Sequence, residues 1–271
     1  GFYERASGQV RLLDFPDQGW RHINTYAWSP DGRLVVDQLT DTQEQRWLHV
    51  AHPKDRSLTQ TWHDRRNTRV YSDVDAMWAG DGKAVLVVGD LDDRYRLYSL
   101  TPGAGAPRPL TSPDYDVSTV TAAGTGANRS VFFVSNQKNP YERHVYRMPE
   151  AGGTATALTT IPGTHQPTVS PDGTVVALIS SSDTTPAELY LVDARGGSSE
   201  RRITNSPPAE FTAQRWVQPR YVTFKSRIDD FTLHARVLEP PNLDKNRKYP
   251  VIFGPVYSNT VRNRWGGNNA L

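Results

Sequence analysis

The chain is 271 residues long, and its 31 Lys+Arg against 29 Asp+Glu leave a net charge of +2. No single-signed field is present to recruit nucleic acid or an anionic membrane surface, and no apolar run approaches the roughly 20 residues of a membrane-crossing helix. With no cysteine, disulfide staples, thiolate metal sites and a cysteine nucleophile are excluded; the lack also suits an oxidising compartment, so a periplasmic or secreted location is the expectation.

Seven Trp, 12 Tyr, 20 Gly and 20 Pro suit a sheet-rich protein of many short strands. The start, Gly1-Phe2-Tyr3-Glu4-Arg5, is neither an initiator methionine nor a signal peptide, and the expectation is a chain that begins inside a longer protein. Val10-Arg11-Leu12-Leu13 reads as the tail of a preceding repeat.

A repeated turn then sets the architecture. Trp28-Ser29-Pro30-Asp31-Gly32-Arg33 returns as Trp78-Ala79-Gly80-Asp81-Gly82-Lys83 and as Val169-Ser170-Pro171-Asp172-Gly173-Thr174, with a degenerate copy at Gly124-Thr125-Gly126-Ala127-Asn128-Arg129. With Pro30, Gly80, Gly126 and Pro171 as marks, the steps are about 50, 46 and 45 residues, the range of propeller blades or helical arrays. Asp-Gly favours a hairpin turn because both positions tolerate positive φ.

Each copy is followed by an apolar run: Leu34-Val35-Val36, Val85 to Val88, Val131 to Val134, and Val175 to Ile179. A third strand follows at Trp47 to Val50, Arg96 to Leu100, His144 to Met148 and Glu188 to Val192. Pro109-Leu110-Thr111, Ala157-Leu158-Thr159 and Arg202-Ile203-Thr204 supply short edge elements on the same beat. This is the layout of a four-stranded blade. No stretch sustains the apolar spacing of a helical array, and a β-sandwich lacks the longer beat. Trp28, Trp78, Tyr98, Tyr146 and Tyr190 recur with the blades and read as packing residues between sheets. Trp216-Val217 reads as the opening of one more blade.

After Pro219 the beat stops. Tyr221 to Lys225 and Thr232 to Leu238 read as strands around an Ile228-Asp229-Asp230 turn. Val251-Ile252-Phe253, beyond a Pro-rich loop, is a short unalternated run that predicts a strand buried on both faces, as in an α/β sheet. About 18 residues follow it, Gly254 through Leu271, too few for a βαβ unit of roughly 30. The fold class is therefore all-β: a β-propeller of four-stranded blades, incomplete, over residues 1–218, followed over 219–271 by the first strands of a truncated second domain.

The blade turns together with the passage Val222 through Phe253, including Pro240-Pro241, Asp244-Lys245 and Lys248-Tyr249-Pro250, resemble the prolyl oligopeptidase family of serine peptidases, and the dipeptidyl-peptidase IV branch within it. Phe133-Val134-Ser135-Asn136 and His144-Val145-Tyr146-Arg147 are similar to late blades of that branch. The resemblance implies that the second domain is an α/β-hydrolase with a Ser-Asp-His triad, that the propeller gates peptide access to it, and that the intact parent is a homodimer. The nucleophile's G-x-S-x-G pattern does not occur here, so the chain alone is expected to be inactive. The position matching the family's oxyanion-donating tyrosine is Tyr257, in Val256-Tyr257-Ser258-Asn259; Pro255 precedes it, and the family's acidic residue two positions upstream is missing. The family's Glu-Glu pair for a substrate amino group is also missing. A non-catalytic propeller that binds protein or peptide is the alternative reading.

Other candidates read as structural. Gly196-Gly197-Ser198-Ser199-Glu200 lacks the closing glycine of a nucleophile elbow. Asp92-Asp93 and Asp229-Asp230 sit at turns, where Asp bonds its own backbone. His49 and His52 point to opposite faces of a strand without a completing carboxylate, and His63-Asp64-Arg65-Arg66 is a polar loop. Neither metal nor cofactor is expected.

Overall fold

The computed structural model describes residues 2–13, 20–40, 42, 44–67, 74–92, 95–197, 199–253 and 261–266. The chain forms two compact units, residues 1–133 with 148–154 and residues 134–147 with 155–271. A hairpin, β1 (Phe2–Glu4) and β2 (Gln9–Arg11), comes first; the predicted tail of a preceding blade is half of this ribbon. Four antiparallel sheets follow, each with its strands in chain order. They are β3 (Trp20–Trp28), β4 (Leu34–Thr40), β5 (Gln45–His52) and β6 (Ser57–Arg65); then β7 (Asp75–Trp78), β8 (Val85–Gly89), β9 (Arg96–Leu100) and β10 (Arg108–Pro109). The third is β11 (Val117–Ala123), β12 (Ser130–Ser135), β13 (His144–Pro149) and β14 (Thr156–Ala157); the fourth is β15 (Thr164–Val169), β16 (Val175–Ser182), β17 (Thr185–Asp193) and β18 (Arg201–Arg202).

The repeated turn differs from the Asp-Gly hairpin expected. Only glycine takes the left-handed conformation: Gly32, Gly82 and Gly173 have φ of 85, 67 and 71°, whereas the aspartates do not. Gly32 N donates to Ser29 O at 3.0 Å and Ser29 N to Arg33 O at 2.8 Å. The first bond closes a type I turn, and glycine then supplies the residue that lets the strands re-pair. Asp31 instead accepts the Ser29 hydroxyl at 2.5 Å and Arg33 Nε at 2.9 Å. These bonds hold its carboxyl at about 2, below the usual carboxylate range, with Arg33 the larger cause. The degenerate copy is a 3-10 turn, Gly126–Asn128.

Strands β4, β8 and β12 are buried at every position; their apolar runs call for cover on both faces, and Asp37, Gln38 and Thr40 of β4 are buried with them. In the first unit Val35, Leu48, Val50, Trp62, Ala76, Val87 and Tyr98 share one core. Trp78 is locked beside it: its Nε1 donates to Ala27 O at 3.0 Å, and the Arg33 guanidinium lies 4.6 Å above its ring. Arg46 and Asp37 form a fully buried ion pair at 3.2 Å. Trp78, Tyr98, Tyr146 and Tyr190 are buried as expected of packing residues, but Trp28 is 55% exposed and meets the Phe2 ring at 5.5 Å.

In the second unit β16 and β17 alternate. Val176, Leu178, Tyr190 and Val192 are buried, while Val175 and Ile179 are exposed. A short helix, α1 (Ala209–Ala213), precedes Trp216-Val217, where no strand forms. The rings of Phe211 and Trp216 pack at 4.6 Å, so this aromatic pair serves a local turn and not a further blade. The closing hairpin is β19 (Arg220–Lys225) with β20 (Thr232–Val237). Val251, Ile252 and Phe253 form no strand and are 73, 82 and 86% exposed. The expected buried strand does not form here: among the described residues no strand pairs with this run to take its backbone bonds.

Candidate functional site

The site is the place in the second unit where hairpin β19–β20 is held on the fourth sheet. Strand alternation sorts the hairpin into two faces. Tyr221 pairs with Arg236 and Thr223 with His234 on one; Val222 pairs with Ala235 and Phe224 with Leu233 on the other. The polar and aromatic face turns to the sheet. Its docking point is Asp183, at the tip of the β16–β17 hairpin, whose carboxylate is nearly fully buried. Asp183 Oδ2 accepts the Tyr221 hydroxyl at 2.5 Å, and Oδ1 accepts Arg236 Nη1 at 2.8 Å. Burial first, and then the Asp183 carboxylate, raise the Tyr221 phenol above its ordinary range.

Tyr141 supplies the second contact. Its ring stacks on Tyr221 at 4.2 Å and meets His234 edge-on at 5.6 Å. The Asn139-Pro140 turn fixes it: Asn139 Oδ1 accepts the amides of Tyr141 and Glu142 at 2.9 and 3.0 Å, an Asx turn. Arg143 Nη1 braces the same loop through the carbonyls of Pro140 and Glu142.

Asn263 closes the arrangement from far down the chain. Its amide donates to Tyr141 O at 2.8 Å, and its carbonyl accepts Thr164 Oγ1 at 3.0 Å. Its side chain accepts the Asp183 amide at 2.8 Å and reaches Glu142 Oε1 at 3.5 Å. Trp265, two residues on, packs against Phe211 and Trp216 at 5.1 and 5.0 Å.

Beneath the clasp lies a buried polar row. His144 Nε2 meets Glu142 Oε2 at 2.8 Å and its Nδ1 meets Thr159 Oγ1 at 3.0 Å. His165 lies beside it, ring to ring at 5.2 Å. The His165 Nε2–H donates to Ile161 O at 2.9 Å, which leaves Nδ1 to accept the Ser180 hydroxyl at 2.7 Å. Burial pulls His165 down to about 4, so it is neutral at physiological pH.

Tyr257, together with Pro255, Val256, Ser258 and Asn259, lies outside the described residues. In the Gly196–Glu200 loop, Ser198 does too, and Glu200 takes the Ile161 amide at 3.0 Å and the Thr160 hydroxyl at 3.0 Å. Asp229 accepts the Phe231 amide at 3.2 Å and Asp230 has a φ of 57°, both local turn roles. Asp92 accepts Arg96 at 2.5 Å and the Tyr98 hydroxyl, while Asp93 lies outside the described residues. Burial lowers His49 to about 4, and His52 Nε2 meets Thr59 Oγ1 at 3.1 Å. Arg66 pairs with Asp64 and Asp90, and His63 stacks on Trp47 at 4.4 Å. The clasp residues Tyr141, Asp183 and Asn263 escaped the reading of the sequence. The alternation of Tyr221-Val222-Thr223-Phe224 was the one local signal that pointed to a docked face.

Successive four-stranded antiparallel sheets on a beat of this length define a segment of β-propeller. Residues 1–187 match the family model described as the dipeptidyl peptidase IV (DPP IV) N-terminal region, and the chain belongs to that family. It is 25% identical over 272 residues to the "Probable dipeptidyl-aminopeptidase B" of Aspergillus oryzae, covering 93% of this chain and 30% of the relative. It is 28% identical over 274 residues to the protein of that name from Aspergillus terreus, again with 93% and 30% covered. Among solved structures, Porphyromonas gingivalis dipeptidyl peptidase 4 shares the fold with a TM-score of 0.79 at 20% identity, over 97% of this chain and 38% of that one. The chain thus spans about a third of the length of these proteins.

Two outcomes follow from this geometry. Because His165 titrates near 4 when folded and near 6.5 when unfolded, the unfolded state binds more protons between those values. Stability therefore falls as pH drops from about 6.5 to about 4, by roughly 3 kcal/mol at the lower end. Urea midpoints measured across that window should show the decline, and a His165→Gln chain with an unaltered slope would refute the assignment. Asp183→Ala leaves Arg236 and Tyr221 without their acceptor, a loss of about 2 kcal/mol in hairpin docking. Amide exchange in residues 220–225 and 232–237 should quicken roughly 30-fold, and unchanged exchange there would show that the clasp does not hold the hairpin.

Proposed function

We propose that this chain is the propeller portion of a serine-type peptidase and that residues 219–271 begin the α/β-hydrolase domain of the intact protein. The propeller region admits peptides to that domain. The observation that carries the reading is the clasped hairpin. A free-standing propeller has no use for β19–β20, whose outward face leaves Phe224 52% and Leu233 40% exposed and is followed by the bare Val251-Ile252-Phe253 run. Apolar surface of this extent calls for a covering domain.

The names of the relatives, dipeptidyl-aminopeptidase B and dipeptidyl peptidase 4, support peptides as substrates. Acyl transfer needs a serine activated by a histidine, on a strained elbow beside an oxyanion hole. No G-x-S-x-G occurs in the 271 residues, so the nucleophile belongs to the remainder of the protein. Tyr257 takes the oxyanion role in the intact protein, its hydroxyl donating to the tetrahedral intermediate. A cysteine-free chain supports a periplasmic or secreted location. Among the described residues no helix is long and apolar enough to cross a membrane.

The 271-residue chain should resist a fluorophosphonate probe, since it holds no activated serine; stoichiometric labelling, located by peptide mapping, would overturn the reading. In the catalytically complete protein, Tyr257→Phe should lower kcat by roughly 100-fold with KM little changed, and a wild-type kcat would remove Tyr257 from the oxyanion hole.

A further inference from the structure

The third and fourth sheets meet at one seam within the second unit. Arg143 N donates to Gly163 O and His165 N donates to Arg143 O, both at 3.0 Å. These two main-chain bonds make a parallel bridge between Arg143, at the mouth of β13, and Thr164, at the start of β15. The residue after each bridge partner is a histidine. His144 and His165 are buried side by side under the bridge, ring to ring at 5.2 Å.

The partners of each ring fix where its hydrogen sits. A carboxylate and a carbonyl can only accept, so Glu142, 2.8 Å from His144, and Ile161 O, 2.9 Å from His165, each take an Nε2–H. One lone pair per ring remains, on Nδ1, and a hydroxyl fills it: Thr159 at 3.0 Å from His144 and Ser180 at 2.7 Å from His165. Both neutral rings are thus fully bonded. A proton added at either Nδ1 turns a hydroxyl hydrogen out of its bond inside a buried site.

The surrounding charges favour the two rings unequally. Glu142 contacts His144 directly, Lys138 lies 4.0 Å from the same carboxylate oxygen, and Arg143 directs its guanidinium to the Pro140 and Glu142 carbonyls. On the far side Glu200 is taken up by the Ile161 amide and the Thr160 hydroxyl, and β16 presents only the Ser180 hydroxyl. Among the described residues His165 has no acid at ion-pair distance, and a charge on His144 opposes one on His165.

We propose that His144 and His165 are an acid-released latch: proton uptake by the pair opens the seam between the third and fourth sheets at the Arg143–Thr164 bridge. Opening exposes the rings to water, which can accept from both nitrogens of a charged imidazole. It is local because two bonds hold the bridge, whereas β15, β16 and β17 are paired along their length. The inference stands apart from the peptidase reading, since every group in it belongs to this chain.

The test is amide exchange on the 271-residue chain, read as protection relative to the intrinsic rate at each pH. His165 titrates at about 4 in the closed state and near 6.5 once open. The open state therefore binds more protons between those values, and opening grows as pH falls. From pH 7.5 to pH 5 the Arg143 and His165 amides should lose roughly 30-fold in protection, with no further loss in about 0.5 M urea. The amides of Leu178 and Tyr190, which exchange through larger unfolding, should remain at least roughly tenfold better protected at pH 5. The Gly32 and Gly82 turn amides of the first unit should not respond. His144→Gln with His165→Gln keeps a donor and an acceptor at each position but takes no proton, and should remove the response. A loss below about threefold, bridge amides that match Leu178 and Tyr190 in protection and urea dependence, or a response that survives both substitutions would each overturn the latch. Should the double variant not fold, ring nitrogen spectra of the unsubstituted chain decide. Both rings should be neutral with hydrogen on Nε2 at pH 7.5, and a His165 ring that gains its proton while the bridge amides keep their protection would refute the proposal.

Discussion

In the second, third and fourth sheets one threonine hydroxyl takes an amide at the mouth of the third strand. Thr111 accepts Leu97 N at 3.1 Å, Thr159 accepts Val145 N at 3.0 Å and Thr204 accepts Leu189 N at 2.9 Å. One residue earlier, the amides of Leu110, Leu158 and Ile203 donate to the carbonyls of the same three residues at 2.8 Å each. The threonine is in effect a side-chain substitute for the next rung of the ladder. It lets the edge strand stop after two residues, as β10, β14 and β18 do, without leaving a buried donor unpaired. A short edge is also a poor template for another chain. In the first sheet the edge strand β6 runs for nine residues, and the hydroxyl that takes the Gln45 amide at the start of β5 is that of Thr40, from the neighbouring strand β4.

The residue before each of those amides faces the threonine and has diverged. Arg96 donates to Thr111 O at 2.9 Å, His144 meets the Thr159 hydroxyl and Glu188 accepts the Thr204 hydroxyl. These are three chemistries at one structural position, each solving the same burial problem. In the third sheet the solution extends furthest. His144 passes the contact on to Glu142, and Glu142 lies against Asn263. The edge bond of a blade thereby becomes the floor of the clasp that holds the C-terminal hairpin, and fold and site share one hydrogen-bonded row.

What the sequence made legible follows from this division. The strands and their order were readable because their cause is local: turn glycines at 32, 82 and 173 and apolar runs between them. The edge threonines were visible on the beat, though their hydroxyl bonds were not. The turn type was misread because Asp-Gly permits two geometries, and the bond from each glycine amide to the carbonyl three residues back, of Ser29, Ala79 or Ser170, selects between them. Trp28 was taken as packing because its spacing matched, but spacing carries no information about what lies opposite. Val251 to Phe253 reads as a buried strand by composition, yet a parallel strand is defined by neighbours that the described residues do not provide. The clasp was opaque for a related reason. Tyr141, Asp183 and Asn263 are 42 and 80 residues apart, and none of them carries a local pattern beyond the Asx turn at Asn139.

The contrast between strands buried throughout and strands that alternate bears on what the chain requires around it. In β4, β8 and β12 both faces are covered, and most positions are apolar, with Asp37, Gln38 and Thr40 of β4 and Ser130 and Ser135 of β12 the buried polar exceptions. In β16 and β17 the apolar character is the same, with Val175, Ile179, Leu189 and Leu191 on one face, yet that face is only partly covered. Sequences that alternate in burial normally alternate in polarity; this one does not. The hairpin shows the same mismatch, since Val222, Phe224 and Leu233 are apolar on a face that is half-covered at Val222 and exposed at Phe224 and Leu233. Solvation alone would favour polar residues at these positions. Under the proposal that a hydrolase domain covers this part of the chain, apolar residues are what these positions require. The polar clasp of Asp183, Tyr141 and Asn263 then has a clear physical task. It fixes the hairpin by directional bonds, so that the apolar face is already oriented before anything covers it.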